Sequence, residues 1–496
     1  MAVVRMREML VGRWRLAVSH EVLQKASRRP QHTASFRFVN KKRRFIAGFV
    51  SIASSIALAT SAVTAPMAAA QTEGSTLSSE PVPLVPGSSI HTGTPGSSFN
   101  PEDPFYATPA EIPSQPGTVI RTQPAPHALD VTGMPGPGQA TKILYSTRTQ
   151  DDKPITASGY VIEPVNPWQG PGPVPTLVFA PGTRGQADVC APSRAAGLVA
   201  NADLRNGAIN INYELPTMYL ASALGMRVVS ADLIGLGTPG MHTYMNRAEQ
   251  AHAILDAARA GLAAAGVPAD SPVGLYGYSQ GGGASAAGAE LAGEYAPDLN
   301  MKGSYAGAVP ADLSQVVNAV DSHLIAGVLG YTLNGYLERR PDLAYLKDEY
   351  FNDKGKAFLE ATKDRCIIDS AVTWGLTDTR TLTKTGESFG ELLQRLPELH
   401  EIIEEQRIGK RPLNAPMMVV AGRHDDTIPY GQVRDMAKSY CEQGGKVWFV
   451  TDETPEVLPK SALNHAIPML AETPASLAYM VNRFKGEPAP SNCGEF

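Results

Sequence analysis

The fold is decided by residues 273–292, which read VGLYGYSQGGGASAAGAELA. The run 273–276 is short and apolar, as in a buried strand, and the small residues at 282–292 are typical of a tightly packed helix. Between them, Ser279 lies in Gly277-Tyr278-Ser279-Gln280-Gly281. This pattern predicts a tight strand-to-helix turn that projects the serine, because glycines leave room for a strained backbone and for the neighbouring helix.

Further apolar runs lie on both sides of this stretch. They occupy residues 176–180, 227–231, 304–308, 417–421 and 447–450. Runs of this kind are buried on both faces of a parallel sheet, and a helical pattern at 245–265 separates two of them. The alternation predicts an α/β fold with a mostly parallel sheet flanked by helices, which begins with an antiparallel hairpin at 142–149 and 155–163.

The serine at the predicted turn needs a base that accepts its proton and an acid that orients the base. In the α/β-hydrolase fold, which this turn indicates, the acid follows a late strand and the base comes after the acid. The predicted strand 416–421 leads into Gly422-Arg423-His424-Asp425-Asp426. We predict Asp425 as the acid because it is the first aspartate after the strand, and Asp426 is the alternative.

The base is predicted from chain order. Of the ten histidines, only His465 lies C-terminal to the predicted acid. It follows the strand 447–450 through a loop and precedes a predicted helix at 466–484. His424 lies on the wrong side of the acid, so we interpret it as a structural or rim residue. The predicted catalytic triad is therefore Ser279, Asp425 and His465.

Two backbone or side-chain donors must stabilise the negative oxygen that develops during acyl transfer. One is predicted to be the backbone N–H of Gln280, the residue after the nucleophile. The other is expected in the loop after the strand 176–180, where Thr183, Arg184 and Gly185 are the candidates. A glycine-rich surface turn without a catalytic role is the alternative interpretation of that loop.

Composition limits the possible functions. The 496 residues are 43% hydrophobic and 18% charged, which is typical of a globular protein with a sizeable core. The net charge of −5, with no basic stripe after residue 70, argues against nucleic acid as a partner. No cluster of metal ligands occurs in the sequence, so we expect no metal or organic cofactor, and no protein partner can be inferred.

The N-terminal region has the pattern of an export signal. A basic cluster at 41–44 precedes an apolar run at 45–63 and the small residues Ala68-Ala69-Ala70. This predicts a signal peptide cleaved near Ala70 and a secreted or cell-envelope protein; a membrane anchor is the alternative. The four cysteines, Cys190, Cys366, Cys441 and Cys493, all follow the cleavage site and are expected to pair, with three possible connectivities.

The predicted organisation has five parts. They are an extension and signal peptide at 1–70, a flexible leader rich in Ser, Thr, Pro and Gly at 71–104, a catalytic domain at 105–311 and 413–485, a helical cap or lid at 312–412, and a C-terminal tail at 486–496. We call residues 312–412 the helical insertion.

Three short segments around these motifs resemble the secretory lipase family. They are Asp188-Val189-Cys190-Ala191-Pro192-Ser193, the turn at 277–282, and Glu294-Tyr295-Ala296-Pro297-Asp298-Leu299-Asn300; residues 425–430 add to the likeness, which runs from about 105 to 484. The resemblance implies the triad given above, an oxyanion loop near Thr183 and Arg184, and a lid at 312–412. It also implies the disulfides Cys190–Cys366 and Cys441–Cys493. Residues 183–185 depart from the pattern because they carry no acidic side chain, which a member of the family uses there.

The predicted activity is hydrolysis of carboxylic esters through an acyl-enzyme on Ser279, with a lipase-like preference for apolar acyl groups under a cap. The expected partner is a lipid or another acyl ester, with transient contact to lipid surfaces. A short-chain carboxylesterase and an acyltransferase of the cell envelope share the same triad and remain alternatives. A non-catalytic binding protein on this fold is a further alternative, although none of the three triad residues is missing.

Overall fold

The computed structural model describes residues 102–125, 138–195, 200–203, 205 and 207–496. The predicted signal peptide and residues 71–101 of the predicted leader lie outside the described residues. At the end of that leader, Asp103 caps a short 3-10 helix, Pro104–Tyr106, by accepting a hydrogen bond from the Phe105 N–H.

The described residues form a nine-stranded sheet and a separate two-stranded hairpin. The strands are β1 (Val119–Pro124), β2 (Ala140–Arg148), β3 (Pro154–Ile162), β4 (Thr176–Ala180), β5 (Ala200–Asp203), β6 (Ala208–Ile211), β7 (Arg227–Ala231), β8 (Pro272–Tyr278), β9 (Asn300–Gly307), β10 (Met417–Gly422) and β11 (Val447–Asp452). The large sheet has the order β1-β2-β3-β7-β4-β8-β9-β10-β11, and β5 pairs with β6.

The predicted hairpin and parallel sheet are both confirmed. Strands β1, β2, β3 and β7 pair antiparallel in that order. From β7 to β11 every neighbouring pair is parallel. Every residue of β4, β7 and β10 is buried, which explains why these strands read as continuous apolar runs rather than as alternating patterns.

Thirteen helices occur in the described part of the chain. They are α1 (Leu215–Ala223), α2 (Arg247–Ala264), α3 (Gln280–Tyr295), α4 (Leu313–Val320), α5 (Val328–Arg339), α6 (Tyr345–Tyr350), α7 (Asp353–Lys363), α8 (Ile367–Trp374), α9 (Phe389–Arg395), α10 (Pro397–Glu405), α11 (Tyr430–Glu442), α12 (Leu463–Ala471) and α13 (Thr473–Phe484). None of the helices in these described ranges is both long enough and apolar enough to cross a membrane.

The helical insertion lies between β9 and β10 and contains α4 to α10. Two of its contacts to the rest of the chain are buried polar bonds: Arg339 Nε lies 2.6 Å from Glu249 Oε1, and the Tyr336 hydroxyl donates to the Met245 carbonyl over 3.2 Å. A third connection is the disulfide Cys190–Cys366, which joins the segment after β4 to the start of α8.

The predicted helix 466–484 is divided in the structure. The stretch 463–484 forms α12 and α13, with Pro474 in the first turn of α13. The stretch 389–405 of the insertion is divided in the same way into α9 and α10, with Pro397, which has no N–H to donate, in the first turn of α10.

The C-terminal tail is fixed to the edge strand β11. The Asn492 side chain accepts from the Phe449 N–H and donates to the Phe449 carbonyl, both over 2.8 Å. The rings of Phe496 and Phe449 stack with centroids 4.5 Å apart, and the Cys441–Cys493 disulfide ties the tail to α11. Both disulfides therefore have the connectivity that the resemblance implied.

Candidate active site

The turn that carries Ser279 joins β8 to α3. Ser279 is half-buried and has φ 60° and ψ −122°, in a region that L-residues rarely adopt and that costs on the order of 1–3 kcal/mol. A Cβ on Gly277 would overlap the Gly281 carbonyl, and one on Gly281 would overlap the Ala180 carbonyl. The glycines of the motif are therefore required by close backbone packing, as the sequence predicted.

Backbone hydrogen bonds hold this turn at the edge of the sheet. The Ser279 N–H donates to the Gly307 carbonyl, and the Gly283 N–H donates to the Ser279 carbonyl, each over 2.9 Å. Because β4, β8, β10 and β11 are parallel, the loops after their carboxyl ends meet at one edge of the sheet. That edge brings the Ser279 turn near the loops that carry the predicted acid and base.

Asp425 and His465 form a direct pair. His465 Nδ1 lies 2.8 Å from Asp425 Oδ2, and the Asp425 side chain is 1% exposed. The other carboxylate oxygen, Oδ1, accepts from the backbone N–H groups of Thr427 and Ile428 over 2.9 and 2.8 Å. Asp425 is thus locked in place, and it leaves His465 Nε2 as the ring nitrogen available to another partner.

Tyr278, the residue before Ser279, connects His465 to the Ser279 turn. Its hydroxyl donates to the His465 carbonyl over 2.8 Å, and the two rings have centroids 5.2 Å apart. Among the described residues, no hydrogen bond joins the Ser279 hydroxyl to His465, and such bonds often tighten only when substrate binds. Burial by itself lowers the pKa of His465, but the charge of Asp425 and its hydrogen bond, with a contribution from Asp426, leave that pKa raised above the usual 6.5.

Asp426 makes different contacts from its neighbour. Its Oδ2 accepts from the backbone N–H groups of Ser461 and Ala462 over 3.0 and 3.3 Å, and lies 3.5 Å from His323 Nε2. No hydrogen bond links Asp426 to His465 in the described part of the chain. The structure therefore pairs Asp425, not Asp426, with the histidine.

The predicted oxyanion loop, residues 181–186, follows β4. The Gly182 N–H donates to Glu214 Oε1 over 2.9 Å, whereas the Thr183 N–H makes no hydrogen bond to any described residue. The Thr183 hydroxyl lies 2.7 Å from the Tyr244 hydroxyl, and the Thr183 carbonyl accepts from the Tyr213 hydroxyl over 3.1 Å. The N–H groups of Arg184 and Gly185 likewise make no hydrogen bond to any described residue, so the loop offers Thr183 together with these two as backbone donors.

The side chain of Arg184, which belongs to this loop, is buried. Its guanidinium is fully buried, lies 2.6 Å from Glu214 Oε2 and 4.3 Å from the centre of the Tyr213 ring, and donates to Asn212 Oδ1 over 2.9 Å. Burial lowers the pKa of Arg184, but the charge of Glu214 more than compensates. The side chain of Arg184 therefore supports the loop, and only its backbone N–H could serve as a donor.

The far side of the loop is bridged to the helical insertion. The Ile367 N–H donates to the Arg184 carbonyl over 2.8 Å, and the Gln186 N–H donates to the Arg365 carbonyl over 2.9 Å. Gly185 pairs with Cys366 in this short antiparallel bridge, next to the Cys190–Cys366 disulfide. The backbone of the loop is consequently held by the core on one side and by the insertion on the other.

Comparison with known proteins identifies the family. The family model described as secretory lipase matches residues 200–492, which is more than half of the chain. The chain belongs to the secretory lipase family.

Two relatives with similar sequences have different names. A protein of Mycobacterium tuberculosis named "Probable inactive lipase MT1628" is 29% identical over 394 residues, which cover 78% of this chain and 83% of that protein. "Secreted triacylglycerol lipase LIP4" of Malassezia globosa is 26% identical over 404 residues, covering 79% and 83%. Both relatives are named as lipases, and the first is named as a probable inactive one.

The crystal structure of Candida antarctica lipase A in its closed state has the same fold. It superimposes with a TM-score of 0.67 at 22% identity, covering 80% of this chain and 89% of that one. This chain therefore has the α/β-hydrolase fold, in agreement with the sequence prediction.

One buried histidine near the Ser279 turn was not predicted. His242 Nδ1 lies 2.8 Å from the Ile234 carbonyl, and its Nε2 lies 2.9 Å from Gln280 Nε2. Burial lowers the pKa of His242 to about 4, so the ring is neutral, donates through Nδ1 and accepts from the Gln280 side chain. No sequence motif marks His242, because its partner lies 38 residues further along the chain.

The helical insertion contains an apolar cavity. It is lined almost wholly by apolar and aromatic side chains, among them Leu333, Tyr336, Phe351, Leu393 and Ile403. Among the described residues, no group of three or more His, Cys, Asp or Glu side chains could hold a metal ion.

Proposed function

We propose that this protein hydrolyses carboxylic esters with apolar acyl groups through an acyl-enzyme on Ser279. The observation that carries the proposal is the buried pair of Asp425 and His465, whose side chains lie 2.8 Å apart. The hydroxyl of Tyr278, the residue before the serine, connects this pair to the turn by donating to the His465 carbonyl. An acid that fixes one imidazole nitrogen leaves the other to accept a proton from a hydroxyl nucleophile.

In the proposed reaction the Ser279 oxygen attacks the ester carbonyl while His465 Nε2 takes the hydroxyl proton. The negative carbonyl oxygen receives hydrogen bonds from the backbone N–H groups of Gln280 and Thr183. His465 then protonates the departing alcohol, and the acyl group remains on Ser279. Water attacks this acyl-enzyme in the same way, with His465 as base, and releases the carboxylic acid.

The raised pKa of His465 has a defined role in this scheme. The imidazole must be neutral to accept the serine proton, so the rate rises as pH increases through the pKa of His465. The charge of Asp425, which raises that pKa, also stabilises the imidazolium ion that forms in the transition state.

Apolar acyl groups are favoured by the cavity in the helical insertion, which we propose acts as the cap. Burial of an acyl chain against such a lining contributes about 0.8 kcal/mol per CH₂ group, so the preference should increase with chain length until the cavity is filled. The name of the Malassezia relative, a triacylglycerol lipase, agrees with a substrate of this class.

Export is part of the same proposal. Relatives are named secreted lipases, and both disulfides of the structure need an oxidising compartment to form. Sequencing the N-terminus of the protein recovered from the culture medium or cell envelope tests this point. A mature chain beginning near Gln71 is expected, and a full-length chain retained in the cytoplasm would contradict it.

The principal test compares the wild-type protein with the Ser279→Ala variant on nitrophenyl esters of two to sixteen carbons. A loss of kcat of about 10⁵-fold or more is expected with little change in Tm, because the substitution removes the nucleophile and almost no volume. Ser285→Ala is the matched control, since Ser285 lies on α3 and its hydroxyl donates to the Tyr305 carbonyl; it should keep its activity.

Each outcome of this test has a distinct meaning. Activity that falls only in Ser279→Ala and increases with chain length supports a lipase-like hydrolase. A maximum at two to four carbons would favour a short-chain esterase, and faster product formation with an added alcohol would favour acyl transfer. Equal activity in the wild type and in Ser279→Ala would contradict the proposal.

A further inference from the structure

A second acid–imidazole pair lies next to the proposed triad. His323, in the helical insertion between α4 and α5, is completely buried, and its Nε2 is 3.5 Å from Asp426 Oδ2. His323 Nδ1 accepts a hydrogen bond from the Ile325 N–H over 3.2 Å. A nitrogen that accepts carries no proton, so a ring proton is on Nε2, on the side of the Asp426 carboxylate, where the two groups are in contact without a hydrogen bond.

The same carboxylate oxygen fixes the turn from which the His465 helix begins. Asp426 Oδ2 accepts from the N–H groups of Ser461 and Ala462. Ala462 has φ 65°, precedes the first residue of α12, and accepts from the Ala466 N–H over 2.9 Å. His465 is the third residue of α12, so the position of this turn determines where the imidazole lies.

The insertion contacts the same turn through its backbone. The Leu324 N–H donates to the Lys460 carbonyl over 3.0 Å, and Lys460 Nζ donates to the Asp321 carbonyl over 2.8 Å. Residues 321–324 of the insertion and residues 460–462 of the loop before His465 are therefore joined on both sides of the His323–Asp426 contact.

We propose that Asp426 and His323 are positioning residues that align the His465 loop with the helical insertion. The inference rests on the proposed function, in which His465 is the base. Asp426 fixes the loop by accepting from two backbone N–H groups, and the His323 ring contacts the Asp426 carboxylate from the side of the insertion. The position of the insertion is thereby coupled to the position of the His465 imidazole, although neither Asp426 nor His323 contacts the reacting atoms.

Charge adds a second effect that a purely structural residue would lack. The titratable groups around His465 are Asp425 and Asp426 in the loop after β10, Tyr278 at the end of β8, and His323 on the far side of Asp426. The charge of Asp426 raises the pKa of His465, in addition to the larger effect of Asp425. Neutralising Asp426 should therefore move the acidic limb of the rate profile to lower pH.

Two substitutions at Asp426 separate these effects. Asp426→Asn removes the charge but keeps an oxygen that can accept from Ser461 and Ala462, so the acidic limb of kcat/KM should shift to lower pH with only a small change in kcat. Asp426→Ala removes the acceptor as well, and a displaced base should lower kcat roughly 10- to 100-fold with a smaller change in KM. Asp425→Asn should be more severe than either.

Substitutions at His323 test the contact that the helical insertion makes with Asp426. In His323→Gln the amide nitrogen keeps a polar N–H on the side of Asp426, as Nε2 does, whereas His323→Leu fills the space with an apolar group. We expect His323→Leu to lower kcat about 10-fold and His323→Gln to restore most of that loss. His400→Leu is the matched control because His400 is exposed on α10 of the same insertion.

The coupling between Asp426 and His465 can also be measured without ester hydrolysis, so its test does not depend on the proposed function. The imidazole titration of His465 can be followed by NMR in the Ser279→Ala background, with and without Asp426→Asn. A lower pKa in the double variant supports the coupling even if no ester is hydrolysed by the wild type. An unchanged titration, together with unchanged kcat in folded Asp426→Ala and His323→Leu, would overturn it.

Discussion

The nucleophile turn at 277–283 and the oxyanion loop at 181–186 follow neighbouring strands, β8 and β4, but they are held in different ways. The turn is fixed by glycine contacts and backbone bonds, some within the motif and others to Ala180 and Gly307 at the ends of β4 and β9. The loop is fixed by Glu214, Tyr213 and Tyr244 on one side and by residues 365–367 on the other. The glycines of the turn form a motif that sequence can reveal, whereas the residues that hold the loop form no motif.

The largest expected effect concerns the nucleophile turn. Gly281→Ala places a Cβ against the Ala180 carbonyl. Because neither of these atoms moves when a side chain changes its rotamer, the overlap can be relieved only by a shift of the backbone. We expect a loss of about 4 kcal/mol or more in the free energy of unfolding and a kcat lowered at least roughly 100-fold. Denaturant unfolding and ester hydrolysis measure the two effects.

Gly431→Ala is the control for this substitution, because a Cβ at Gly431 in α11 meets nothing within 4 Å. It should be neutral or stabilise the protein by up to about 1 kcal/mol. If Gly281→Ala were equally neutral, close backbone packing would not be what holds the turn.

An intermediate effect is expected at the support of the oxyanion loop. Glu214→Gln leaves the fully buried Arg184 guanidinium without its ion-pair partner, which typically costs about 3–5 kcal/mol. The free energy of unfolding should fall by this order, and kcat should fall with it because the Gly182–Thr183 backbone loses its anchor. Asp342→Asn, which removes the partner of the exposed Arg340, should leave Tm unchanged. Equal effects of the two substitutions would mean that burial of the pair is unimportant.

The smallest effect is expected at the loop hydroxyl. Thr183→Val keeps the backbone N–H but removes the hydrogen bond to Tyr244, so a loss of about 1 kcal/mol, or about 5-fold in kcat, is expected. Tyr244→Phe removes the same bond and should give a similar loss, with the double variant little worse than either single variant. A loss near 100-fold in Thr183→Val alone would instead show that the hydroxyl contacts the oxyanion.

The sequence predicted the sheet and the positions of Ser279, Asp425 and His465 because these depend on short-range patterns and on chain order. Apolar runs marked the parallel strands, and the glycines marked the turn. The order of acid and base then left one histidine. Asp425 could not be separated from Asp426 by sequence, because the two side chains differ only in which distant backbone and imidazole groups they meet.

Other features had no local signal. The role of Arg184 depends on Glu214, and His242 depends on Gln280, so each becomes visible only when the strands are assembled. The division of α12 from α13 was missed for another reason, because Pro474, in the first turn of α13, is a local signal that the prediction of one helix at 466–484 did not use.

The bridge between Gly185 and Cys366 also has a consequence for the timing of synthesis. The backbone partners of the Ser279 turn are present once residue 307 has been made, and only the Tyr278 bond waits for His465. The loop after β4 waits for residues 365–367, and the disulfide beside it spans 176 residues. His465 is made later still. Because chains emerge from the N-terminus at about 5–20 residues per second, the site is assembled in stages and the proposed base arrives last. A partly synthesised chain can therefore display its serine for many seconds without being able to use it.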